Sequence, residues 1–201
     1  MKVPYSNFKT RTGDTDEVGG CTFIGGEWKD VDTVEIFDNK KVVVFALPGA
    51  FTPTCSSQQV PGYEAKYDEL KALGIDEVYC LSVNDAFVMN AWFESQGIEK
   101  VKPLADGCGD LARSLGMLVK KDNLGFGLRS WRYAMLVVNG TVELFCPEPN
   151  LTDDAQEDPY GNSSPAEMLT EVQVTLRELG LNENSVEEVP SVDLDSTEEN
   201  V

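Results

Sequence analysis

The chain has no histidine among its 201 residues. Histidine is the usual base beside a cysteine or serine nucleophile, and it is the commonest metal ligand. Its absence excludes cysteine proteases and related Cys–His enzymes, haem sites with a proximal histidine, and zinc sites with histidine ligands. Any nucleophile in this chain must therefore be activated by other groups.

Closely spaced cysteines are also lacking. The chain has five cysteines: Cys21, Cys55, Cys80, Cys108 and Cys146. No two of them are separated by two residues, which disfavours a Cys-only zinc site and a thioredoxin-like dithiol exchanger. An odd number cannot complete a disulfide framework within one chain, so the spacing indicates reduced thiols in the cytosol.

Long apolar runs and positive charge are scarce. No stretch approaches the roughly 20 apolar residues of a membrane span, and the N-terminus has no apolar signal region, so a cytoplasmic location is predicted. Sixteen Lys and Arg residues against 35 Asp and Glu residues give a formal net charge of −19. Nucleic acids and anionic membranes would be repelled and are not expected as partners.

The apolar content of 41% is enough to build the core of one globular domain, which we predict over residues 1–182. Residues 183–201 contain several acidic residues and no basic one. Such a self-repelling segment predicts a disordered, solvated tail.

The first half of the chain alternates strand and helix patterns after a Gly-rich opening that is predicted to be irregular. Residues 41–47 read KVVVFAL, a buried central strand that stops at Pro48. Apolar residues spaced by three and four predict a helix over residues 60–70, kinked at Pro61 and closed near Gly74.

Further strands and helices follow. Residues 77–84 predict a second strand, with Asp85 as the N-cap of the next helix, and residues 101–105 predict an edge strand. Residues 131–138 and 141–146 flank an Asn-Gly turn and predict a hairpin, and the last helix starts at Ser164. Parallel βαβ units, a hairpin and a closing helix predict a mixed central sheet flanked by helices, a thioredoxin-like α/β fold.

The segment from Pro48 to Cys55, PGAFTPTC, lies between a buried strand and a helix. A thiol in the first turn of a helix faces free N–H groups and the positive end of the dipole, which stabilise a thiolate without histidine. If the substrate is a peroxide, the departing oxygen also needs donors. The Thr52 hydroxyl is placed to donate to the sulfur and orient the peroxide, while Pro48 and Pro53 stiffen the loop and exclude water.

The pattern P-x3-T-x2-C, formed by Pro48, Thr52 and Cys55, resembles the active-site motif of the peroxiredoxins. The stretches VVVFALPGAFTPTCS and LGFGLRSWRYAMLVVNG resemble the type-5 (type II) subfamily, including the form that bacteria fuse to glutaredoxin. By this resemblance Cys55 is the peroxidatic cysteine, Thr52 its hydroxyl partner, Pro48 the shield, and Arg132 the guanidinium that contacts thiolate and peroxide.

The resemblance implies a thiol peroxidase that reduces hydrogen peroxide and organic hydroperoxides through a sulfenic acid. It also implies an antioxidant role in cell redox homeostasis, with glutathione and glutaredoxin, or thioredoxin, as the reductant. No cofactor or metal is expected. A homodimer is implied, with Phe51 and Phe87 as candidates for its surface.

Three alternatives stay open. Cys80 lies where plant-type members of the family carry a resolving cysteine. Its position in a hydrophobic strand instead favours a packing role in the core. We therefore prefer a catalytic cycle that uses Cys55 as its one reactive cysteine. Arg129 competes with Arg132 for the role of the active-site cation; their spacing puts them on opposite faces of a strand, and only the resemblance selects Arg132. The alternative function is a peroxide sensor or holdase chaperone that uses the same cysteine without significant turnover.

Overall fold

The computed structural model describes residues 1–12 and 26–181. The predicted acidic tail and Cys21 lie outside these residues. None of the described helices is long and apolar enough to cross a membrane.

The N-terminal part is more regular than the sequence predicts. Strands β1 (Asn7–Thr12) and β2 (Glu27–Asp32) pair antiparallel, and helix α1 (Thr33–Phe37) follows, N-capped by Asp32. The Gly-rich segment that is predicted to be irregular lies mostly outside the described residues. The strands on either side of it were not predicted, because β2, EWKDVD, is mostly exposed and carries four charged residues. An exposed two-stranded ribbon lacks the alternation of apolar and polar residues that reveals a half-buried strand.

The middle of the chain follows the predicted alternation. Its elements are β3 (Lys41–Leu47), α2 (Val60–Ala72), β4 (Glu77–Ser82), α3 (Ala86–Gln96), β5 (Lys102–Ala105) and α4 (Asp110–Ser114). Asp85 caps α3 by accepting from the Val88 amide at 3.0 Å, and Gly97 ends it in the left-handed conformation.

The second half supplies a small sheet, a hairpin and the last helix. The elements are β6 (Leu118–Lys120), β7 (Leu128–Ser130), β8 (Tyr133–Val138), β9 (Thr141–Pro147) and α5 (Pro165–Glu178). The hairpin of β8 and β9 turns at Asn139 and Gly140, both with positive φ. Ser164 accepts from the Glu167 amide at 3.3 Å and caps α5 as predicted.

The central sheet has the order β5-β4-β3-β8-β9, with β3, β4 and β5 parallel and β8 and β9 antiparallel. This confirms the mixed, thioredoxin-like sheet. Its central strand, β3, is almost entirely buried. On the face covered by α2, α3 and α5, the rings of Phe45 and Tyr63 stack with centroids 3.8 Å apart, which fixes α2 over the strand that leads into the motif.

Candidate active site

The motif loop leaves β3 at Leu47 and turns into a helix that carries Cys55. Phe51 has a φ of +60° and is exposed, which reverses the chain before the helix begins. Residues Cys55–Gln59 form a π-helical turn in which the Val60 amide donates to the Cys55 carbonyl, and α2 continues it. Cys55 thus lies in the first turns of a helix, where the sequence places it.

The helix departs from regular geometry just before Pro61, where the sequence predicts a kink. Pro61 is the second residue of α2, and the π-helical turn Cys55–Gln59 runs into α2 without a break. Proline has no N–H and its ring clashes with the carbonyl four residues earlier, here Ser57. The widened turn accommodates this conflict inside one continuous helix.

The sulfur of Cys55 is buried beside a guanidinium. Arg132 lies between β7 and β8 and is only 2% exposed, and its Nη1 atom is 3.5 Å from Cys55 Sγ. Cys55 itself has no exposed surface. The structure therefore brings together, out of water, the two residues that the resemblance pairs.

Arg132 is held in place by three further groups. Its Nη1 donates to Gln59 Oε1, and its Nη2 donates to both carboxylate oxygens of Asp158 at 2.6 Å. The guanidinium also lies 5.5 Å from the centre of the Tyr160 ring. A bidentate carboxylate and a stacked ring fix the orientation of the planar group toward the sulfur.

Electrostatics keeps Arg132 charged despite its burial. Burial alone would lower the pKa of Arg132, but the negative charges of the Cys55 thiolate and Asp158 raise it above its ordinary value. One guanidinium donor, Nε, is buried without an acceptor among the described residues. The site thus holds a permanent cation with a spare donor.

Thr52 and Pro48 shape the loop rather than touching the sulfur. The Thr52 hydroxyl donates to the Gly49 carbonyl at 2.7 Å, and the Thr52 carbonyl accepts from the Ser56 amide at 3.0 Å. The predicted donation from Thr52 to sulfur is therefore not what this structure shows, because its single hydrogen is used inside the loop. Pro48 is buried at the end of β3.

Arg129 lies apart from the thiol. It belongs to β7, where its Nε donates to the Phe126 carbonyl at 3.1 Å and its Nη1 approaches the Pro48 carbonyl at 3.5 Å. Burial lowers the pKa of Arg129. Arg129 lies in β7, whereas Arg132 lies in the connection between β7 and β8, because β8 begins at Tyr133 and not at the predicted residue 131.

Three contacts of the Arg132 guanidinium, with Gln59, Asp158 and Tyr160, were not predicted from sequence. Gln59 lies one helical turn after Cys55, and that spacing of four residues was a usable signal that was missed. Asp158 lies in the acidic stretch of residues 147–162, which the sequence presents as an ordinary surface loop. Nothing local distinguishes its carboxylate from its neighbours.

The other described cysteines form no disulfide. Cys80 lies in the middle of β4 opposite Phe45 and has no exposed surface. Burial raises the pKa of the Cys80 thiol well above its ordinary value, and the charge of Cys55 raises it further. Cys146 is half-buried and Cys108 is exposed. Cys80 is therefore packed as a core residue, as its strand predicts.

A thiol in the first turns of the helix that follows the central strand of a mixed sheet, with helices on the sheet's faces, is typical of thioredoxin-fold thiol proteins. A family model described as Redoxin matches residues 15–158. A peroxiredoxin of Rhizobium etli is 52% identical, and the match covers 84% of this chain and 92% of that protein. The hybrid peroxiredoxin hyPrx5 of Haemophilus influenzae is 50% identical over 76% of this chain and 58% of that protein.

Solved structures agree with the sequence matches. Reduced Prx3 of Vibrio vulnificus in complex with H2O2 superposes with a TM-score of 0.72 at 37% identity, covering 86% of this chain and 96% of that one. The chain belongs to the peroxiredoxins, the family of thiol peroxidases that the motif and fold indicate.

Proposed function

We propose that this protein reduces hydrogen peroxide and organic hydroperoxides through Cys55, with Arg132 as the charged partner of the reacting sulfur. The distance of 3.5 Å between Arg132 Nη1 and Cys55 Sγ, inside a buried site, carries the proposal. In a chain without histidine, a permanent cation and a helix start supply the stabilisation that a base would otherwise provide.

In the first step the Cys55 thiolate attacks the terminal oxygen of the peroxide. A sulfur–oxygen bond forms, the oxygen–oxygen bond breaks, and the departing hydroxide or alkoxide takes a proton to leave as water or alcohol. The sulfur is oxidised to a sulfenic acid as the peroxide is reduced. The guanidinium of Arg132, including its spare Nε donor, stabilises the charge that moves onto the departing oxygen.

Thr52 and Pro48 orient the peroxide. Because the Thr52 hydroxyl donates its hydrogen to Gly49, its oxygen is left as an acceptor for the proton of the bound peroxide. Pro48, buried where β3 ends, keeps water from the sulfur. Thr52 therefore positions the substrate by accepting a hydrogen bond.

We infer a one-Cys cycle for the return step. The thiolate of glutathione attacks the sulfenic sulfur and expels hydroxide, and a second thiol, from glutaredoxin or glutathione, then releases Cys55 from the mixed disulfide. Thioredoxin is the alternative reductant. The burial of Cys80 supports an external thiol, because Cys80 would have to leave the core to reach Cys55.

Turnover distinguishes this proposal from a sensor or holdase. Peroxide consumption would be measured with glutathione plus glutaredoxin, and separately with thioredoxin. We expect turnover in the wild type, none in Cys55→Ser, and near-normal turnover in Cys80→Ser, with exposed Cys108→Ser as the matched control. A wild type that is oxidised once but not recycled by either system would overturn the peroxidase proposal in favour of a sensor.

A homodimer and a cytoplasmic antioxidant role in redox homeostasis complete the proposal. Phe51 is 58% exposed on the loop that leads to Cys55, which supports an interface there. Phe87 packs edge-on against Trp28 with ring centroids 5.3 Å apart, so it also has a role within the chain.

A further inference from the structure

A cavity of about 510 Å³ opens beside the motif loop. The motif loop lines one side of it with Pro48, Thr52, Pro53 and Thr54, and the rest is lined by Lys121, Asn123, Leu124, Phe126 and residues 155–158. Its size suits a molecule much larger than hydrogen peroxide, such as a tripeptide or the tail of an organic acid. Since the motif loop forms part of its wall, whatever binds in it lies against the loop that leads to Cys55.

Lys121 lines this cavity and is unusual in this chain. It is only 3% exposed, and its ammonium lies 5.4 Å from the centre of the Trp131 ring. Its backbone is fixed, because the Lys121 amide donates to the Gly127 carbonyl at 2.8 Å and its own carbonyl accepts from the Phe126 amide. No carboxylate or carbonyl of the described residues accepts from the Lys121 ammonium.

An ammonium without a carboxylate partner at a cavity wall needs an explanation in a protein with a net charge of −19. Several exposed lysines, such as Lys9, Lys29 and Lys100, have a carboxylate partner. The Lys121 side chain is enclosed, but its ammonium is not among the buried atoms that lack a partner, so the cation opens to the cavity and can pair with an anion from outside.

Arg129 adds positive charge behind the cavity wall. Its side chain contacts the carbonyls of Pro48 and Phe126, two residues that line the cavity, and lies 5.4 Å from the Phe126 ring centre. It too pairs with no carboxylate in the part of the chain that the structure describes. Of the carboxylates that line the cavity, Asp158 is engaged by Arg132, and Glu157 forms no ion pair with Lys121 or Arg129.

We propose that Lys121, helped by the positive charge of Arg129 behind the cavity wall, binds the carboxylate of a small organic molecule that reacts at Cys55. Two sources share this chemistry: a hydroperoxide that bears a carboxylate, and a thiol reductant that bears one. The apolar parts of the wall, among them Leu124 and Phe126, accommodate the carbon chain of either. The inference rests on the proposed role of Cys55 and adds a preference for anionic reactants over neutral ones of the same shape.

The test compares each acid with its ester in the same variant. In the peroxide arm, the rate constant for Cys55 oxidation is measured with linoleic acid hydroperoxide and with its methyl ester. In the thiol arm, reduction of the sulfenic form is measured with glutathione and with its diethyl ester. Lys121→Gln and Arg129→Gln should each lower the acid-to-ester ratio about tenfold in at least one arm.

Charge is separated from packing by two further variants. Lys121→Arg keeps the charge over the Trp131 ring and should retain the wild-type ratio, whereas a loss as large as in Lys121→Gln would contradict a role for charge. Exposed Lys120→Gln is the matched control and should keep the ratio. Ratios unchanged in both arms for Lys121→Gln and Arg129→Gln overturn the inference, while a wild type inert to hydrogen peroxide would instead overturn the proposed function.

Discussion

The guanidinium of Arg132 connects three separate parts of the chain at one point. It follows β7, contacts the sulfur on the helix after β3, and is gripped by Asp158 from the loop before α5. Burial alone would lower the pKa of Arg132, but the neighbouring anions, the Cys55 thiolate and Asp158, raise it above its ordinary value. Under the proposed function, the reactivity of Cys55 in this histidine-free chain therefore depends on the placement of one side chain.

Replacing Arg132 by Ala should slow the reaction of Cys55 with hydrogen peroxide about a hundredfold, because the cation that stabilises both thiolate and departing oxygen is lost. Stopped-flow measurement of the second-order rate constant would show this. Reaction with iodoacetamide should also slow, since it too requires the thiolate. The matched control is Arg113→Ala, an exposed arginine paired with Asp110; equal rates in Arg132→Ala and Arg113→Ala would remove Arg132 from the mechanism.

Asp158 should act on catalysis through Arg132. In Asp158→Asn the bidentate grip becomes a single neutral acceptor, so the guanidinium loses its fixed orientation, and we expect peroxide reduction to slow by about tenfold. A positioning role also predicts non-additivity: adding Asp158→Asn to Arg132→Ala should cost little more than Arg132→Ala alone. Additive losses in that double-mutant cycle would contradict it, and exposed Asp122→Asn is the control.

Only part of the site could be predicted from sequence. Pro48, Thr52 and Cys55 were visible because the motif is local, and Arg132 was visible only through family resemblance. Asp158 was not, because its importance depends on the loop after β9 bringing it back to Arg132, which lies 26 residues earlier in the chain. The use of the Thr52 hydrogen within its own loop likewise depends on turn geometry that composition does not specify.

At the level of elements, Glu148 organises the loop between β9 and α5. Its Oε1 accepts from the amides of Gly161 and Ser163, each at 2.8 Å, and from the Ser163 hydroxyl at 2.7 Å. Burial alone would raise the pKa of Glu148, but these hydrogen bonds lower it below the ordinary value. The loop that carries Asp158 is thus closed by a buried, ionised carboxylate.

This predicts acid sensitivity. A depressed pKa means that Glu148 stabilises the fold above its ordinary value of 4.5, and that this contribution is lost as pH falls through its lower, folded-state value. Glu148→Gln should lower the free energy of unfolding at pH 7 by about 1 to 3 kcal/mol. Urea titrations from pH 7 to acid should show the difference between wild type and Glu148→Gln shrinking; a constant difference would contradict the assignment, and exposed Glu143→Gln is the control.

The elements themselves were mostly predictable. β3 matches its predicted bounds, because a continuous run of β-branched residues is typical of a buried strand. Asp85 and Ser164 cap the helices whose starts they predict. The ribbon of β1 and β2 was not predicted because its apolar face is small: Phe8 and its partner Val31 pack on the core, while most of the other side chains are polar or charged. The π-helical turn was missed because proline at position 61 is equally compatible with a kink.

At the scale of the whole molecule, the acidic surface keeps copies apart unless a specific apolar contact brings them together. Phe51→Glu should therefore raise the dissociation constant of the proposed dimer at least tenfold, because it removes an exposed aromatic and adds like charge at a symmetric contact. Sedimentation equilibrium would measure this. The matched control is Val174→Glu on α5, another exposed apolar position; an unchanged dimer in Phe51→Glu would place the interface elsewhere.

The distribution of thiol exposure has a practical consequence for anyone who tracks this protein in cells. Of the cysteines that the structure describes, Cys108 is exposed while Cys55 is sealed inside. A bulky maleimide would modify Cys108 first and would not reach Cys55. A labelling experiment would therefore identify Cys108, and not Cys55, as the reactive cysteine. Small probes, or labelling after denaturation, are needed to follow the oxidation state of Cys55.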